Sequence, residues 1–213
     1  MSANLATGEI FEETYELREK IDATASQERW VIRDTAANQT LTLCLLKTKV
    51  QSERLSLIQK RLGAAQGLIH PNILLAIKLD AYKDYPYVIE PWSEKLTTLK
   101  LEDINWQTVE QVLDALAFSH QLGISHGFIH PENLLIDQDK RLQIRGFGLP
   151  NEFKRDKKHS EFILSKDDGS YLPAYKDDYH SIGRLIAYSM SPSGELSLDT
   201  YSSDMSSQVA ETI

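Results

Sequence analysis

The sequence predicts an α+β fold, and three observations carry that expectation. Runs of β-forming residues crowd the first half of the chain, at Arg29–Asp34, Thr40–Lys47, Ile73–Leu79 and Tyr85–Glu90. Two long stretches instead repeat apolar residues at helical spacing, at Gln51–Leu68 and Trp106–Leu122. Strand runs joined by short polar links favour an antiparallel sheet with helices beside it. The third observation is the stretch His126-Gly127-Phe128-Ile129-His130-Pro131-Glu132-Asn133-Leu134-Leu135-Ile136, followed by Leu142-Gln143-Ile144-Arg145-Gly146-Phe147-Gly148. An apolar run, a turn with Pro and Asn, a second apolar run and Gly-Phe-Gly read as a loop between two short strands.

Taken in order, residues 1–14 read as a polar lead-in. Tyr15–Ile21 is strand or helix by periodicity alone. Arg29–Asp34 and Thr40–Lys47 are better strands, rich in β-formers and joined by the polar turn at Asp34–Gln39. Short polar links between such runs suggest an antiparallel sheet, five-stranded when Tyr15–Ile21, Ile73–Leu79 and Tyr85–Glu90 are included. The helix between them carries Leu55, Ile58, Leu62 and Ala65 on one stripe. Pro91 breaks the strand pattern. The helix beginning at Trp106 carries Val109, Val112, Leu113, Leu116, Ala117 and His120 at helical spacing, and Gly123 is its stop signal. Trp106 reads as core on that stripe. Glu152–Gly169 is charged with mixed sign and reads as a solvated loop. Residues 191–213 are polar and Ser-rich, with the composition of a linker or disordered tail.

Composition bounds the function classes. A net charge of -8 argues against a broad nucleic-acid surface, so no nucleic-acid partner is expected. No run approaches the ~18 apolar residues of a membrane span, so no membrane insertion is expected. The one cysteine, Cys44, lies in the apolar run Leu41–Leu46 and reads as a buried, inert thiol. A reducing cytoplasm fits this pattern.

The loop at His126–Asn133 and the Gly146-Phe147-Gly148 that follows resemble the catalytic and magnesium loops of the protein-kinase family, H-R-D-x-x-x-x-N and D-F-G. Further markers come in the family's order. Lys47 ends a strand as the family's V-A-I-K lysine does. His70-Pro71-Asn72-Ile73 resembles its H-P-N-I turn, and Asp178–Gly183 resembles the start of its central buried helix, continuing to about Met190. The resemblance covers roughly Tyr15–Met190. It implies a two-lobe fold: an N-lobe over residues 15–91 with the five-stranded sheet and one helix, and a shortened, mostly helical C-lobe over 92–190. Tyr171-Leu172-Pro173-Ala174 resembles the family's A-P-E only faintly, and further domains after residue 213 are an open possibility.

Against the family pattern, the catalytic-base position holds Phe128, the metal-binding position Gly146 and the catalytic-loop lysine position His130. Counting back from His70, the helix glutamate that pairs with the lysine becomes Arg61, a like charge. The segment Asp22–Gln27, in place of a glycine-rich phosphate cover, has no glycine. Phosphoryl transfer rests on metal ions that neutralise the phosphates and a carboxylate that orients the hydroxyl. These losses imply a pseudokinase and not an enzyme. Its role would be a protein-interaction scaffold or allosteric regulator in signalling, with a protein partner of unknown identity. No metal and no cofactor are expected, beyond weak metal-independent ATP binding at a relic pocket of Lys47, Asn133 and Glu90. The other implied reading is an atypical nucleotide-dependent transferase, or an ATP sensor, using a remodelled pocket.

Overall fold

The computed structural model describes residues 5–150, 153 and 175–190. The solvated loop at Glu152–Gly169, apart from Phe153, the segment Tyr171–Ala174 and the tail from residue 191 lie outside the described residues.

The strands of the first sheet are β1 (Ile10–Phe11), β2 (Tyr15–Ala23), β3 (Gln27–Asp34), β4 (Gln39–Leu46), β6 (Lys78–Tyr82) and β7 (Tyr85–Pro91). All six pair antiparallel, in the order β1-β2-β3-β4-β7-β6. The ambiguous segment from Tyr15 is therefore a strand. The expected five strands become six, because the polar lead-in contributes β1. Phe11 is 2% exposed there and stacks edge-on against Tyr87, with ring centroids 5.0 Å apart.

Helix α1 (Ser52–Ala65) covers one face of this sheet. Ile58 and Leu62 meet Cys44, Leu46, Leu79 and Val88 in one apolar cluster. The other face gathers Phe11, Leu17, Trp30, Ile32, Leu41, Leu43, Leu45, Tyr87 and Ile89. The alternation is strict along β4, so side-chain parity assigns each residue its face. A one-residue slip would turn the whole set over. Burial of each Leu or Ile is worth about 1.5–3 kcal/mol, so the register is strongly fixed.

The second sheet is built from β5 (Ile73–Leu74), β8 (Thr97–Thr98), β9 (Leu134–Ile136) and β10 (Leu142–Arg145), in the order β5-β10-β9-β8. The expected strand Ile73–Leu79 is thus split. Its first two residues pair in parallel with β10, and its last two, Lys78 and Leu79, open β6 of the first sheet. Asn72 ties this junction by donating from Nδ2 to the Leu142 carbonyl at 2.7 Å.

Helix α2 (Trp106–Gln121) starts where the Asn105 side chain accepts the Thr108 N–H at 3.1 Å, a standard N-cap bond. It stops at Gly123, whose φ of +76° favours glycine. Its buried stripe is Thr108, Val109, Val112, Ala115, Leu116 and Ser119. Trp106 is not core. As the first helical residue it precedes that stripe and is 55% exposed. Helix α3 (Tyr175–Met190) lies against α2, burying Asp178, Ser181, Ile182 and Leu185. No described helix is long and apolar enough to cross a membrane.

Candidate functional site

The loop between α2 and β9 is built around a buried carboxylate. Asp178, at the start of α3, is fully buried. It accepts the His126 N–H at 2.9 Å and the Gly127 N–H at 2.6 Å. Its Oδ2 also lies 2.8 Å from His120 Nε2 on α2. Three chain segments therefore converge on one carboxylate, and Gly127 turns beneath it with a φ of +88°.

His126 carries the frame onward. Its Nδ1 is 3.1 Å from the Phe128 N–H and its Nε2 is 2.9 Å from the Arg145 carbonyl. A backbone N–H can only donate and a carbonyl can only accept. The ring is thus assigned as the tautomer with its proton on Nε2. Its face meets Phe147 edge-on at 4.8 Å, and Phe147 is fully buried. Asn133 closes the loop by donating from Nδ2 to the Phe128 carbonyl at 3.1 Å.

Phe128 is 1% exposed and lies 4.4 Å, centroid to centroid, from the buried His130 ring. A phenyl ring accepts no proton. Gly146 offers only backbone groups, at a φ of +100°. Of the nearby acids, Asp137 is engaged in its own turn, accepting the N–H groups of Asp139 and Arg141 at 2.9 Å each.

Lys47 is placed away from this loop. It follows β4 with the parity of Leu43 and Leu45, on the face opposite α1. Its Nζ donates to the Thr24 carbonyl at 2.6 Å and lies 3.5 Å from Glu28 Oε1. Lys20 Nζ also reaches Glu28 at 3.1 Å, and the Trp30 indole donates to it at 3.4 Å. Burial pushes the Glu28 carboxyl up. The hydrogen bond and charge of Lys20, the indole and the charge of Lys47 outweigh it, leaving the group below its ordinary value. The repulsion expected between Lys47 and Arg61 does not arise, because Arg61 belongs to α1 on the other side of the sheet. Burial pulls the Arg61 guanidinium below its ordinary value, and the charge of Asp178 acts the other way.

On the face under α1, parity places Arg29, Thr42, Cys44, Val88 and Glu90 together, with Arg29 opposite Cys44 and Thr42 opposite Glu90. Arg145 arrives from β10, its Nη1 3.6 Å from Glu90 Oε2, with both side chains under 10% exposed. Arg29 lies 3.7 Å from Asp22. Burial, with the charge of Arg145 added, pulls the Arg29 guanidinium below its ordinary value. Of the three residues grouped from the sequence as a pocket, Glu90 meets Arg145, Asn133 holds the loop, and Lys47 lies on the opposite face. Arg29 and Arg145 went unnoticed. The available signal was a charge inside an apolar strand, on the side that the Trp30–Ile32 alternation leaves inward.

Cys44 shares this face. Burial pushes its thiol up to about 12, although Arg29 and Arg145 pull the other way. A thiol-specific disulfide reagent is expected to label Cys44 only on unfolding, and labelling of the native protein within minutes would contradict this burial.

A family model for the protein kinase domain matches residues 30–171, more than half of the chain. The chain belongs to the protein kinase domain family. Among its relatives, CBL-interacting serine/threonine-protein kinase 2 of Arabidopsis thaliana is 27% identical over 149 residues, 66% of this chain and 33% of that protein. CBL-interacting serine/threonine-protein kinase 15 of the same plant is 33% identical over 99 residues, 43% of this chain and 24% of that protein. Calcium/calmodulin-dependent protein kinase type 1B of Rattus norvegicus is 26% identical over 149 residues, 63% of this chain and 43% of that protein. The kinase-family chain spans about a third of the length of the first of these relatives. The crystal structure of a point mutant of the Mycobacterium tuberculosis PknI kinase domain is similar in fold, with a TM-score of 0.57 and 20% identity. That likeness covers 70% of this chain and 64% of the other. One expectation is corrected here. The chain was expected not to be an enzyme, and the relatives it matches are named as protein kinases.

Proposed function

We propose that the chain serves signalling as a kinase-type module acting through contact with a protein partner, as a scaffold or allosteric regulator. The observation that supports this reading is the contrast at the loop after α2. Its frame is bonded throughout by Asp178, His126 and Asn133, while the buried Phe128 and the bare Gly146 stand where the family pattern has carboxylates. A frame kept to that degree preserves a shape, and a shape is what a protein partner reads.

A second reading is favoured by the names of the relatives: a nucleotide-dependent transferase whose chemistry runs through other groups. Transfer in this chain would draw on His130, Asn133, Arg29 and Arg145 in place of side chains at 128 and 146. Labelled ATP with magnesium or manganese separates the readings. The regulatory reading expects a stoichiometric protein complex on co-purification and no phosphate transfer to a protein acceptor. Phosphate transfer to a protein acceptor that Asn133→Ala abolishes, with no stoichiometric partner, would overturn it in favour of the transferase.

A further inference from the structure

The side chains beneath the first sheet form a charged group separate from the carboxylate frame of Asp178. Glu90 is 4% exposed and Arg145 is 7% exposed. Glu90 belongs to β7 of the first sheet, and Arg145 ends β10 of the second. The two side chains therefore join the two sheets, at 3.6 Å. Both are anchored through their backbones: Glu90 is in register with Thr42, and the Arg145 carbonyl accepts from His126 Nε2 at 2.9 Å. Among the described residues, Glu90 Oε1 and Arg29 Nε are buried atoms without a hydrogen-bond partner. A charged group kept this dry is costly unless its geometry is held from several sides. Here it is held by a strand on each side and by Arg29 above.

We propose that Glu90 and Arg145, with Arg29 beside them, form an internal closure: an ion pair between the two sheets that holds them together without a ligand. Opening it exposes a buried carboxylate and a buried guanidinium to water. It stands independently of the partner reading above.

Cys44 reports on the closure, since it lies opposite Arg29 in the same face and is 2% exposed. The test uses the full chain and a maleimide probe, with labelling compared against global unfolding measured in urea. In the native chain, labelling of Cys44 is expected to follow global unfolding. In Arg145→Met it is expected to run at least tenfold faster than that variant's own global unfolding allows, because the two sheets part locally. Labelling of Arg145→Met that still follows global unfolding would overturn the closure. If Arg145→Met fails to fold, the charge exchange decides. Recovery of soluble monomer in Glu90→Arg with Arg145→Glu, relative to Glu90→Arg alone, supports the pair, and no recovery overturns it.

Discussion

Replacing Asp178 with alanine is expected to cost a large share of the chain's stability, about 3–5 kcal/mol. The carboxylate is fully buried and accepts the N–H groups of His126 and Gly127, with His120 Nε2 at 2.8 Å. Alanine leaves two buried backbone donors unsatisfied, each worth about 1–3 kcal/mol. It also opens a small cavity between α2 and α3. A domain of this size is stable by only about 5–15 kcal/mol, so the loss takes a large share. Asp178→Asn keeps one acceptor oxygen and is expected to lose less, because one of the two N–H groups still finds a partner. Urea midpoints for the two variants measure this, and an alanine variant within about 1 kcal/mol of the native chain, on the order of a surface substitution, would show the carboxylate to be incidental.

Gly148→Ala is expected to be the next most damaging change, at about 2–4 kcal/mol. Gly148 has a φ of +73°, where an L side chain is strained. A methyl group there would lie 2.7 Å from Ala65 Cβ, 3.1 Å from Leu62 Cα and 3.3 Å from the Arg61 carbonyl oxygen. None of those atoms can swing aside, since all three belong to α1 or are fixed directly to it. The change should therefore push α1 off the second sheet, disturbing Ala65, Leu68 and Phe147 in the shared core. Adding Ala65→Gly removes the shortest clash but not the backbone strain. A partial recovery of the thermal midpoint is expected in the double variant. Full recovery would place the whole effect in the clash, and no recovery would place it in the backbone.

These two positions differ in how far they could be read from the sequence. Asp178 was legible as the start of a buried helix because it follows the family's order. The need for glycine at 148 was not, since the contact is with a helix far earlier in the chain. Helices α1 and α2 were legible because an apolar stripe of 3.6-residue period is a local signal. Strand β1 was not, because two residues carry no period, and its evidence is the burial of Phe11 by distant rings. The division of Ile73–Leu79 between two sheets was equally hidden, since pairing partners are set by tertiary contacts. The placement of Lys47 was decided by strand parity. Counting from the strand's end gave a pocket lysine, whereas alternation from Leu43 and Leu45 carries it to the opposite face. The same alternation would have flagged Arg29 as an inward charge.

The retained frame and the altered positions 128 and 146 together make one prediction that a single titration decides. Thermal unfolding of the full chain is followed as ATP and magnesium are raised to millimolar levels. A ligand at a hundredfold over its Kd stabilises a protein by about 2.7 kcal/mol, so binding even in the tens of micromolar would be plain. With Phe128 and Gly146 offering no carboxylate to the metal, no shift is expected. A saturable rise of several degrees that EDTA abolishes would show a metal-nucleotide clamp and contradict it.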